Sequence, residues 1–431
     1  MSREIHIDSV ESESREQIMK DLQIKIEGSS FVHNSKPTYI YPMDVIGDYA
    51  YIPFAYGRNC QGGPFPCPDR EVLPKMSCKF EGSLRDEQKV VKTEAISHLN
   101  KYGSTIIAAY PGFGKTSSAI YIATKIKLKT LIITHRIVLV KQWQQALNKF
   151  CPDSSVQVLT AKSVMKDCDF YIMNAINVSK HDNNFYKNIG FLMVDEIHCI
   201  MAEGLSKCMQ RIVPRYVLGL SATPYREDGL DILLDLYFGK RKIYRKLYRK
   251  HTVYKIQTSF VPTVEFAKNG KVNWGVILDT QANDMARNEM IVRLVKHFPN
   301  RVFLILCKRV NQGEYLVKRL EEEGEDVTSL IGKQQEYQQS SRILVGTSSK
   351  AGTGFDHPRL DALILASDIQ AYFIQYLGRC MRTEKVVPLV FDIVDKNHIL
   401  DKHFKVRRAT YIEHGGSISD FATEYPEFEV S

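Results

Sequence analysis

The sequence predicts an α/β protein in which two units built on parallel sheets follow one another, preceded by a small β-containing region. From about residue 83 onward, short apolar runs alternate with amphipathic segments, which is typical of parallel strands joined by crossover helices. The alternation pauses after about residue 240 and resumes after about residue 281. The first eighty residues are instead rich in Tyr, Pro and Gly. We therefore expect three regions, with the bounds 1–82, 83–245 and 246–431.

Local patterns predict the elements of the first two regions in chain order. Strand-like segments lie at 23–26 and 49–54, and a helix is predicted over 86–102. The apolar stripe of that helix comprises Val90, Val91, Ala95, Ile96 and Leu99. Continuous apolar runs predict strands covered by helices on both faces, at 105–109, 130–134, 170–173, 191–194 and 216–220. Further helices are expected from about residue 115 and through Leu139, Trp143 and Leu147.

The last region repeats this alternation. Helices are expected at 284–298, around 314–322 and at 371–382. Strands are expected at 301–307, 342–345, 362–365 and near 386–394. The two α/β units are therefore of similar size, and each is expected to contain a parallel sheet.

A basic segment, 240–250 (KRKIYRKLYRK), lies where the two units are expected to join. It has tyrosines and a leucine between its charges, and it has two interpretations. It can contact phosphates at the mouth of a groove, or it can form a solvated connection between the units. The second interpretation is favoured, because runs of charge are usually solvated.

The composition is that of an ordinary globular protein, with 44% hydrophobic and 25% charged residues. No apolar run reaches the ~18 residues that cross a bilayer, and the N-terminus does not resemble a signal peptide, so we expect a soluble intracellular protein. The net charge of +9 favours a polyanionic partner without identifying it. The nine cysteines are expected to be reduced, because a chain of this size shows no secretory signal. Zinc is not expected at Cys60, Cys67 and Cys78, because they lack the close pairs of a structural zinc site.

A glycine-containing loop at 109–116 (AYPGFGKT) lies between a predicted strand and a predicted helix, which is the context of a phosphate-binding loop. Gly112 and Gly114 allow backbone N–H groups to turn toward phosphates, and the helix N-terminus adds a positive dipole. Lys115 is expected to reach the β- and γ-phosphates, and the Thr116 hydroxyl to bind Mg²⁺. The first position holds alanine where the strict pattern has glycine. A glycine-rich turn with a chance Lys-Thr pair is the weaker alternative.

A second segment, 191–196 (FLMVDE), is an apolar strand that ends in two acids. Carboxylates at the carboxyl end of a parallel strand face the crevice where ligands bind. Asp195 is therefore expected to hold Mg²⁺, and Glu196 to orient and deprotonate the attacking water. A strand that simply ends in a polar turn is the alternative, and the upstream loop makes it the weaker one.

A third segment places Gln375, Arg379 and Arg382 at positions i, i+4 and i+7 of a predicted helix, so that they share one face. Two arginines on one face can neutralise the charge that develops on a transferred phosphoryl group. Taken alone, arginines on a solvated helix are the better interpretation. The combination with the other segments favours the catalytic one.

Together and in this order, the segments resemble the motifs of the superfamily 2 helicases and translocases. The matching segments are 83–88, 109–116, 134–143, 195–198 (DEIH, a DExH box), 221–223, 346–356 and 375–382. The resemblance covers roughly residues 83–394, which is most of the chain. It implies two RecA-like domains in tandem, ATP and Mg²⁺ as cofactors, and nucleic acid as partner.

The resemblance also implies roles for the motif residues. Those expected to be catalytic are Lys115, Glu196, Arg379 and Arg382. Those expected to contact the nucleotide are Arg85, Gln88, Pro111, Gly112, Phe113, Gly114, Lys115, Thr116, Asp195, Gly354 and Asp356. Those expected along the nucleic acid are His135, Arg136 and Thr347, with Gln142 and Trp143 in the same motif as the first two. Those expected to couple hydrolysis to movement are His198, Ser221, Thr223 and Gln375. Because these residues divide between the two units, ATP is expected to complete its site when the units close.

A narrower resemblance lies at 226–228, where Arg-Glu-Asp directly after Ala-Thr-Pro-Tyr is similar to a segment of XPB-like DNA helicases. An ordinary polar turn would have the same sequence. The compact chain is also similar to the helicases of large cytoplasmic DNA viruses, of the poxvirus transcript-release type. This resemblance implies an ATP-dependent DNA helicase or translocase in viral transcription, replication or recombination, located in the cytoplasm, the nucleus or the virion.

Four other functions were weighed against this one. An RNA helicase and a double-stranded DNA translocase that never separates strands would carry the same motifs. An inactive scaffold is disfavoured by the intact Lys115, Asp195, Glu196 and Arg382. A phosphate-loop kinase would explain the first two motifs, but neither 221–223 nor the helix that carries Gln375.

Overall fold

The chain divides into two compact units, Met1–Arg245 and Lys246–Ser431, each built around one seven-stranded sheet. The structure, a computed structural model, describes residues 1–26, 38–201, 210–225, 230–267, 270–334, 336–351, 357–370, 373–381 and 386–430.

The first unit opens with the predicted small β-containing region. Its elements are β1 Ser2–His6, α1 Ser12–Asp21, β2 Ile24–Ile26, β3 Thr38–Ile40, β4 Asp44–Ile46, β5 Tyr49–Pro53 and α2 Tyr56–Asn59. Strands β1, β5 and β4 form an antiparallel sheet in that order, and β2 pairs with β3. Ile5, Ile18, Leu22 and Ile52 are buried together and give this region a core of its own.

The large sheet of the first unit is parallel throughout. Its elements are α3 Asp86–Tyr102, β6 Ser104–Ala109, α4 Lys115–Ile126, β7 Thr130–Thr134, α5 Ile137–Phe150, β8 Val156–Leu159, β9 Phe170–Asn174, β10 Phe191–Asp195, α6 Ile197–Ile200, β11 Tyr216–Ser221, α7 Asp231–Phe238 and β12 Lys242–Arg245. The strand order is β12-β6-β11-β10-β7-β9-β8. The five predicted strands are confirmed as β6, β7, β9, β10 and β11. The edge strands β8 and β12 were not predicted, because VQVL and KIYR alternate instead of forming a continuous apolar run.

Helix α3 has the predicted bounds, but one residue of its predicted stripe faces solvent. Val91, Ala95 and Leu99 are buried, whereas Val90 is 57% exposed. The buried residues are spaced by four and face the sheet, and Val90 lies about 100° around the helix from Val91. Gly103 ends the helix at φ 78°, in the left-handed region that glycine adopts readily.

The basic segment 240–250 is partly a strand, which neither interpretation anticipated. β12 pairs in parallel with β6, and Ile243 is its buried residue. Nζ of Lys242 lies 3.4 Å from Oδ1 of Asp235, and Nη2 of Arg245 lies 3.3 Å from Oε2 of Glu94. The prediction of a solvated connection is therefore wrong for 242–245, because their charges pair with acids of the first unit while their backbone extends the sheet.

The second unit also has a seven-stranded parallel sheet. Its elements are β13 His251–Gln257, α8 Trp274–Asn283, α9 Met285–His297, β14 Phe303–Cys307, α10 Val310–Glu322, β15 Val327–Leu330, β16 Ile343–Thr347, α11 Ser348–Ala351, β17 Ala362–Leu365, α12 Phe373–Arg379, β18 Leu389–Val394, α13 His398–Glu413, β19 Gly416–Asp420 and α14 Phe421–Glu424. The strand order is β15-β16-β14-β17-β18-β13-β19. The predicted strands are confirmed as β14, β16, β17 and β18, whereas β13, β15 and β19 were not predicted.

A buried charge cluster fixes the chain segment that leads into α12. Arg407 donates to Asp392 at 2.8 Å and to Asp368 at 2.7 Å, and all three side chains are buried. Burial alone would raise the pKa of Asp368, but the hydrogen bond from His403 and the charge of Arg407 lower that pKa to about 2. The carboxylate therefore stays ionised at neutral pH, and charge-assisted hydrogen bonds hold the start of this segment.

The described ranges contain neither a helix fit to span a membrane nor a cluster of metal-binding side chains. No helix there combines the length and the apolar character needed to cross a bilayer. Nor does any group of three or more His, Cys, Asp or Glu in those ranges have the geometry of a metal site. Of the three cysteines considered for zinc, Cys67 lies beside the guanidinium of Arg215, and the Cys78 sulfur lies 3.9 Å from the Met76 sulfur.

Candidate nucleotide-binding site

The carboxyl edge of the first sheet brings the predicted motifs together. Strands β6, β11, β10 and β7 are consecutive neighbours in the sheet. Because all four are parallel, their carboxyl ends meet at one edge, and each end carries or precedes a motif. The phosphate loop follows β6, Ser221 ends β11, Asp195 ends β10, and Thr134 ends β7.

The loop between β6 and α4 has the backbone that its glycines predict. Gly112 and Gly114 have φ values of 89° and 86°, where side-chain-bearing residues are strained. A Cβ atom on Gly114 would also overlap Nε2 of Gln88. Helix α4 begins directly afterwards at Lys115, so its free N–H groups face the space that the loop encloses.

Arg85 and Gln88 hold this loop through its carbonyl groups. Gln88 Nε2 donates to the carbonyl oxygen of Phe113 at 2.9 Å, and Gln88 Oε1 accepts from the backbone N–H of Arg85 at 2.9 Å. Arg85 donates to the carbonyl of Gly112 at 3.1 Å and also to that of Phe113. Gln88 is 4% exposed. The two residues predicted to read adenine thus also fix the shape of the phosphate loop.

Lys115 and Thr116 occupy the first turn of α4. The Lys115 ammonium donates to the carbonyl oxygen of Ala109 at 2.8 Å, at the carboxyl end of β6. Both side chains are half-buried. The ammonium therefore lies at the mouth of the loop, beside the strand that precedes it.

Asp195 is a buried carboxylate with an unexpected partner. The indole N–H of Trp143 donates to its Oδ2 at 2.8 Å, and the backbone N–H of Glu196 donates to its Oδ1 at 3.1 Å. Burial, followed by the nearby Glu196 charge, raises the pKa of Asp195 to about 7, against the opposing effects of Trp143 and Lys115. Trp143 was predicted along the bound strand, and this placement is wrong. Its side chain is 1% exposed, and its indole N–H is directed at Asp195.

Glu196 is set in a left-handed conformation, with φ 50° and ψ 57°, which is rare for a residue with a side chain. This backbone turns its side chain away from the strand direction at the start of α6. Its Oε2 atom lies 3.6 Å from Nδ1 of His198, and it has no hydrogen-bond partner among the described residues. A buried acceptor in this state is free to take the proton of an incoming water.

His198, Ser221 and Thr223 form one hydrogen-bonded chain. Nδ1 of His198 lies 2.8 Å from Oγ of Ser221, and that oxygen accepts the backbone N–H of Thr223 at 3.0 Å. All three residues are buried. The acidic strand β10 is thereby joined, through polar contacts, to the turn that follows β11.

His135 and Arg136 lie between the end of β7 and the start of α5. Burial, then the charges of Arg136 and His198, lower the pKa of His135 to about 4, so its ring is neutral near pH 7. Neither ring nitrogen has a hydrogen-bond partner among the described residues. Of the two, only Arg136 can thus offer a positive charge to a phosphate.

The predicted residues of the second unit are only partly described. Thr347 ends β16 and is 6% exposed, with its hydroxyl 3.3 Å from that of Ser349. Gln375 is buried in α12, and the half-buried Arg379 ends that helix. Gly354, Asp356 and Arg382 lie outside the described ranges, as does the 226–228 segment of the first unit.

The donor set of the first unit fits a magnesium-bound nucleotide. The loop supplies backbone N–H groups and an ammonium, and Asp195 is a buried carboxylate whose raised pKa reflects a charge that a cation would stabilise. Mg²⁺ takes few protein ligands and keeps several waters. A carboxylate such as Asp195 and a hydroxyl such as that of Thr116 are oxygen ligands of the kind that such a site uses.

Helicases are among the known proteins that this chain is similar to. A family model described as "Type III restriction enzyme, res subunit" matches residues 81–226. Protein 161L of Invertebrate iridescent virus 6, named as a candidate helicase, is 40% identical over an alignment of 450 positions that covers 98% of this chain and 100% of the relative. The "DNA 3'-5' translocase XPB2" of Sulfurisphaera tokodaii is 30% identical over 201 residues, 44% of this chain and 43% of that protein.

A solved structure shows the same fold. Dbp5 of S. cerevisiae, bound to RNA and ADP BeF3, matches with a TM-score of 0.56 and 14% identity, over 78% of this chain and 91% of that one. The whole-length viral relative carries the family assignment, and the second sheet and its helices agree with the RecA-like expectation. The chain therefore belongs to the superfamily 2 helicases of large DNA viruses, and such helicases are nucleic-acid-dependent ATPases.

Proposed function

We propose that this helicase hydrolyses Mg²⁺–ATP at the carboxyl edge of its first sheet and uses the energy to move along DNA. One observation carries the proposal: the phosphate loop, the paired acids Asp195 and Glu196, and the His198–Ser221 contact lie at adjacent strand ends. This arrangement combines a phosphate cradle, a cation ligand, a base and a connection to a third strand. A phosphate-loop kinase needs only the first two.

Each side chain has a separate part in the proposed chemistry. Lys115 neutralises the β- and γ-phosphates, and Asp195 with Thr116 holds Mg²⁺, which supplies positive charge at those oxygens. Glu196 orients the attacking water and accepts its proton. Arg85 and Gln88 recognise the adenine while they keep the loop in shape. From the second unit, Arg379, Arg382, Gly354 and Asp356 are proposed to complete the site as the resemblance implies.

Movement is proposed to follow from the contact between β10 and β11. Loss of the γ-phosphate changes the charge that faces Glu196 and His198. The Ser221 hydroxyl, which contacts His198 and accepts from the backbone N–H of Thr223, transmits this change to the turn after β11. Gln375 is proposed to act with them from α12. Arg136 and Thr347 are proposed to contact the nucleic acid backbone, with His135 beside them. Such contacts depend little on base sequence and strongly on salt.

DNA is the proposed track because a DNA translocase is among the relatives. RNA is the second candidate, since the fold is shared with an RNA-bound protein. A role in viral transcription, replication or recombination is proposed, and the viral origin of the whole-length relative supports it.

We expect single-stranded DNA to stimulate ATP hydrolysis at least about tenfold more than RNA of the same length, a difference of about 1.4 kcal/mol in transition-state stabilisation. The measurement is steady-state phosphate release at fixed salt with single-stranded DNA, duplex DNA and RNA. Equal or greater stimulation by RNA would transfer the proposal to RNA. Stimulation by duplex DNA without displacement of a labelled strand would identify a translocase that does not unwind.

Replacing Ser221 by alanine is expected to separate hydrolysis from movement. The hydroxyl joins His198 to the turn at Thr223, whereas the phosphate loop and the acids stay in place. DNA-stimulated ATP turnover should stay within about threefold of the wild type, and strand displacement should fall about tenfold or more. Ser12→Ala, at an exposed residue of α1 in the same unit, is the matched control. Parallel losses of turnover and displacement would contradict a coupling role.

A further inference from the structure

A second cleft lies in the first unit, at the sheet edge opposite the phosphate loop. Its volume is about 720 Å³, and its wall includes Arg58, Tyr102, Ser104, Asp235, Lys240 and Arg241. Ser104 begins β6, whereas the phosphate loop follows the end of the same strand. The six residues of β6 separate the two sites by about 17 Å. A ligand in this cleft therefore does not touch the nucleotide.

The cleft carries excess positive charge. Lys240 and Arg241 are exposed, and Arg58 is half-buried at the end of α2, donating to the carbonyl of Lys101 at 2.6 Å. Asp235 is the one acid among the residues of its wall, and it already lies 3.4 Å from the Lys242 ammonium. Among the described residues of the wall, three cations thus stand against one acid, which is already paired with Lys242, and this excess favours an anionic ligand.

A flat platform lies next to these charges. The guanidinium of Arg241 is stacked on the Tyr102 ring, with 4.4 Å between the guanidinium carbon and the ring centroid. Unpaired bases stack on aromatic rings and on guanidinium planes. The Tyr56 hydroxyl donates to Asp21 at 2.8 Å, and Ile232, 45% exposed, adds an apolar patch to the wall. Clefts of roughly 300–1,000 Å³ hold ligands of the size of a nucleotide.

We propose that this cleft is a second binding site for single-stranded nucleic acid, apart from the strand contacts at the carboxyl edge. Phosphates contact Arg58, Lys240 and Arg241, and an unpaired base stacks on the Arg241–Tyr102 pair. The proposal rests on the proposed function in so far as nucleic acid is the substrate. An acidic peptide with an apolar side chain would match the charge and Ile232, but it would leave the stacked platform unused.

The test compares the wild type with a Lys240→Ala, Arg241→Ala double variant. Fluorescein-labelled oligothymidylates of about 4 and about 40 nucleotides are titrated by fluorescence anisotropy at several salt concentrations. A long strand can occupy both sites at once, whereas a short one cannot, and linked sites strengthen binding. The double variant should bind the long strand about tenfold more weakly, and its salt slope should fall by about 1.4, or 0.7 for each lost phosphate contact.

Three further readings make the result specific. Binding of the short strand should be unchanged, as should the ATP turnover that the short strand stimulates. Lys20→Ala with Lys25→Ala removes two exposed positive charges from the same unit and should leave both affinities at the wild-type value. Thermal unfolding monitors the fold of each variant.

An equal loss of affinity for both strands would overturn the separate site. An unchanged affinity for the long strand would overturn the proposal altogether and leave an acidic peptide as the class of occupant. Failure of the proposed function has a different signature, since the wild type itself would then show no stimulation by any nucleic acid.

Discussion

Replacing Lys115 by alanine is expected to lower ATP turnover about 10³-fold or more while the protein stays folded. The ammonium lies at the mouth of the phosphate loop, 2.8 Å from the carbonyl of Ala109, and it is the cation that the loop's own helix offers to the phosphates. Without it, the charge that develops on the transferred phosphoryl group loses its nearest counter-charge. Phosphate release at saturating DNA measures the loss.

A matched control is available on the same helix. Lys125 lies in the last turn of α4, is exposed, and stacks over the Tyr121 ring. Lys125→Ala should keep turnover within about twofold, because a solvent-exposed charge ten residues away is screened. Equal thermal unfolding of both variants would assign the loss to chemistry. Wild-type turnover by Lys115→Ala would disprove the placement of the nucleotide.

Replacing Glu196 by glutamine is expected to lower turnover about 10²- to 10⁴-fold with little change in ATP affinity. The amide has the size of the carboxylate but cannot accept a proton. Oε2 of Glu196 has no hydrogen-bond partner among the described residues, so the change breaks no described hydrogen bond of that atom, which lies 3.6 Å from Nδ1 of His198. Single-turnover hydrolysis and equilibrium binding of a labelled nucleotide together separate the chemical step from binding.

Glu13→Gln serves as the control for this second prediction. Glu13 is exposed in α1, so its variant removes a negative charge from the same unit without touching the loop. It should hydrolyse ATP at the wild-type rate. If Glu196→Gln weakened ATP binding as much as it slowed turnover, Glu196 would be a binding residue and the base would have to be sought elsewhere.

The interior of each sheet could be predicted from the sequence, whereas the edges could not. Central strands such as β6 and β10 are covered on both faces, so their residues form continuous apolar runs that stand out. The edge strand β12 has a single fully buried residue, Ile243, among charged neighbours, and it was taken for a connection. An edge strand buries fewer of its side chains, so its sequence has a weaker apolar pattern.

In the candidate site, too, features that neighbouring residues encode could be predicted, whereas a contact between residues distant in the sequence could not. The loop, the acids and the Ser221 turn are local sequence patterns, and parallel topology brings them to one edge. Trp143 is different. Its apolar ring predicted correctly that it lies on the buried face of α5, but no nearby residue in the sequence indicated that its indole N–H donates to Asp195. That partner is 52 residues away in the sequence, and only the packing of α5 on the sheet brings them together.

Helix α5 has a consequence for how the track could govern the rate of hydrolysis. Arg136 caps its start, and Trp143 lies seven residues further along, about 10 Å by the helical rise. A hydrogen bond weakens steeply when its angle departs from linearity. If Arg136 contacts the nucleic acid as proposed, a small tilt of α5 on strand binding would change the angle of the hydrogen bond from the Trp143 indole to Asp195. Occupancy of the nucleic-acid site would then alter the surroundings of the carboxylate that is proposed to hold the cation.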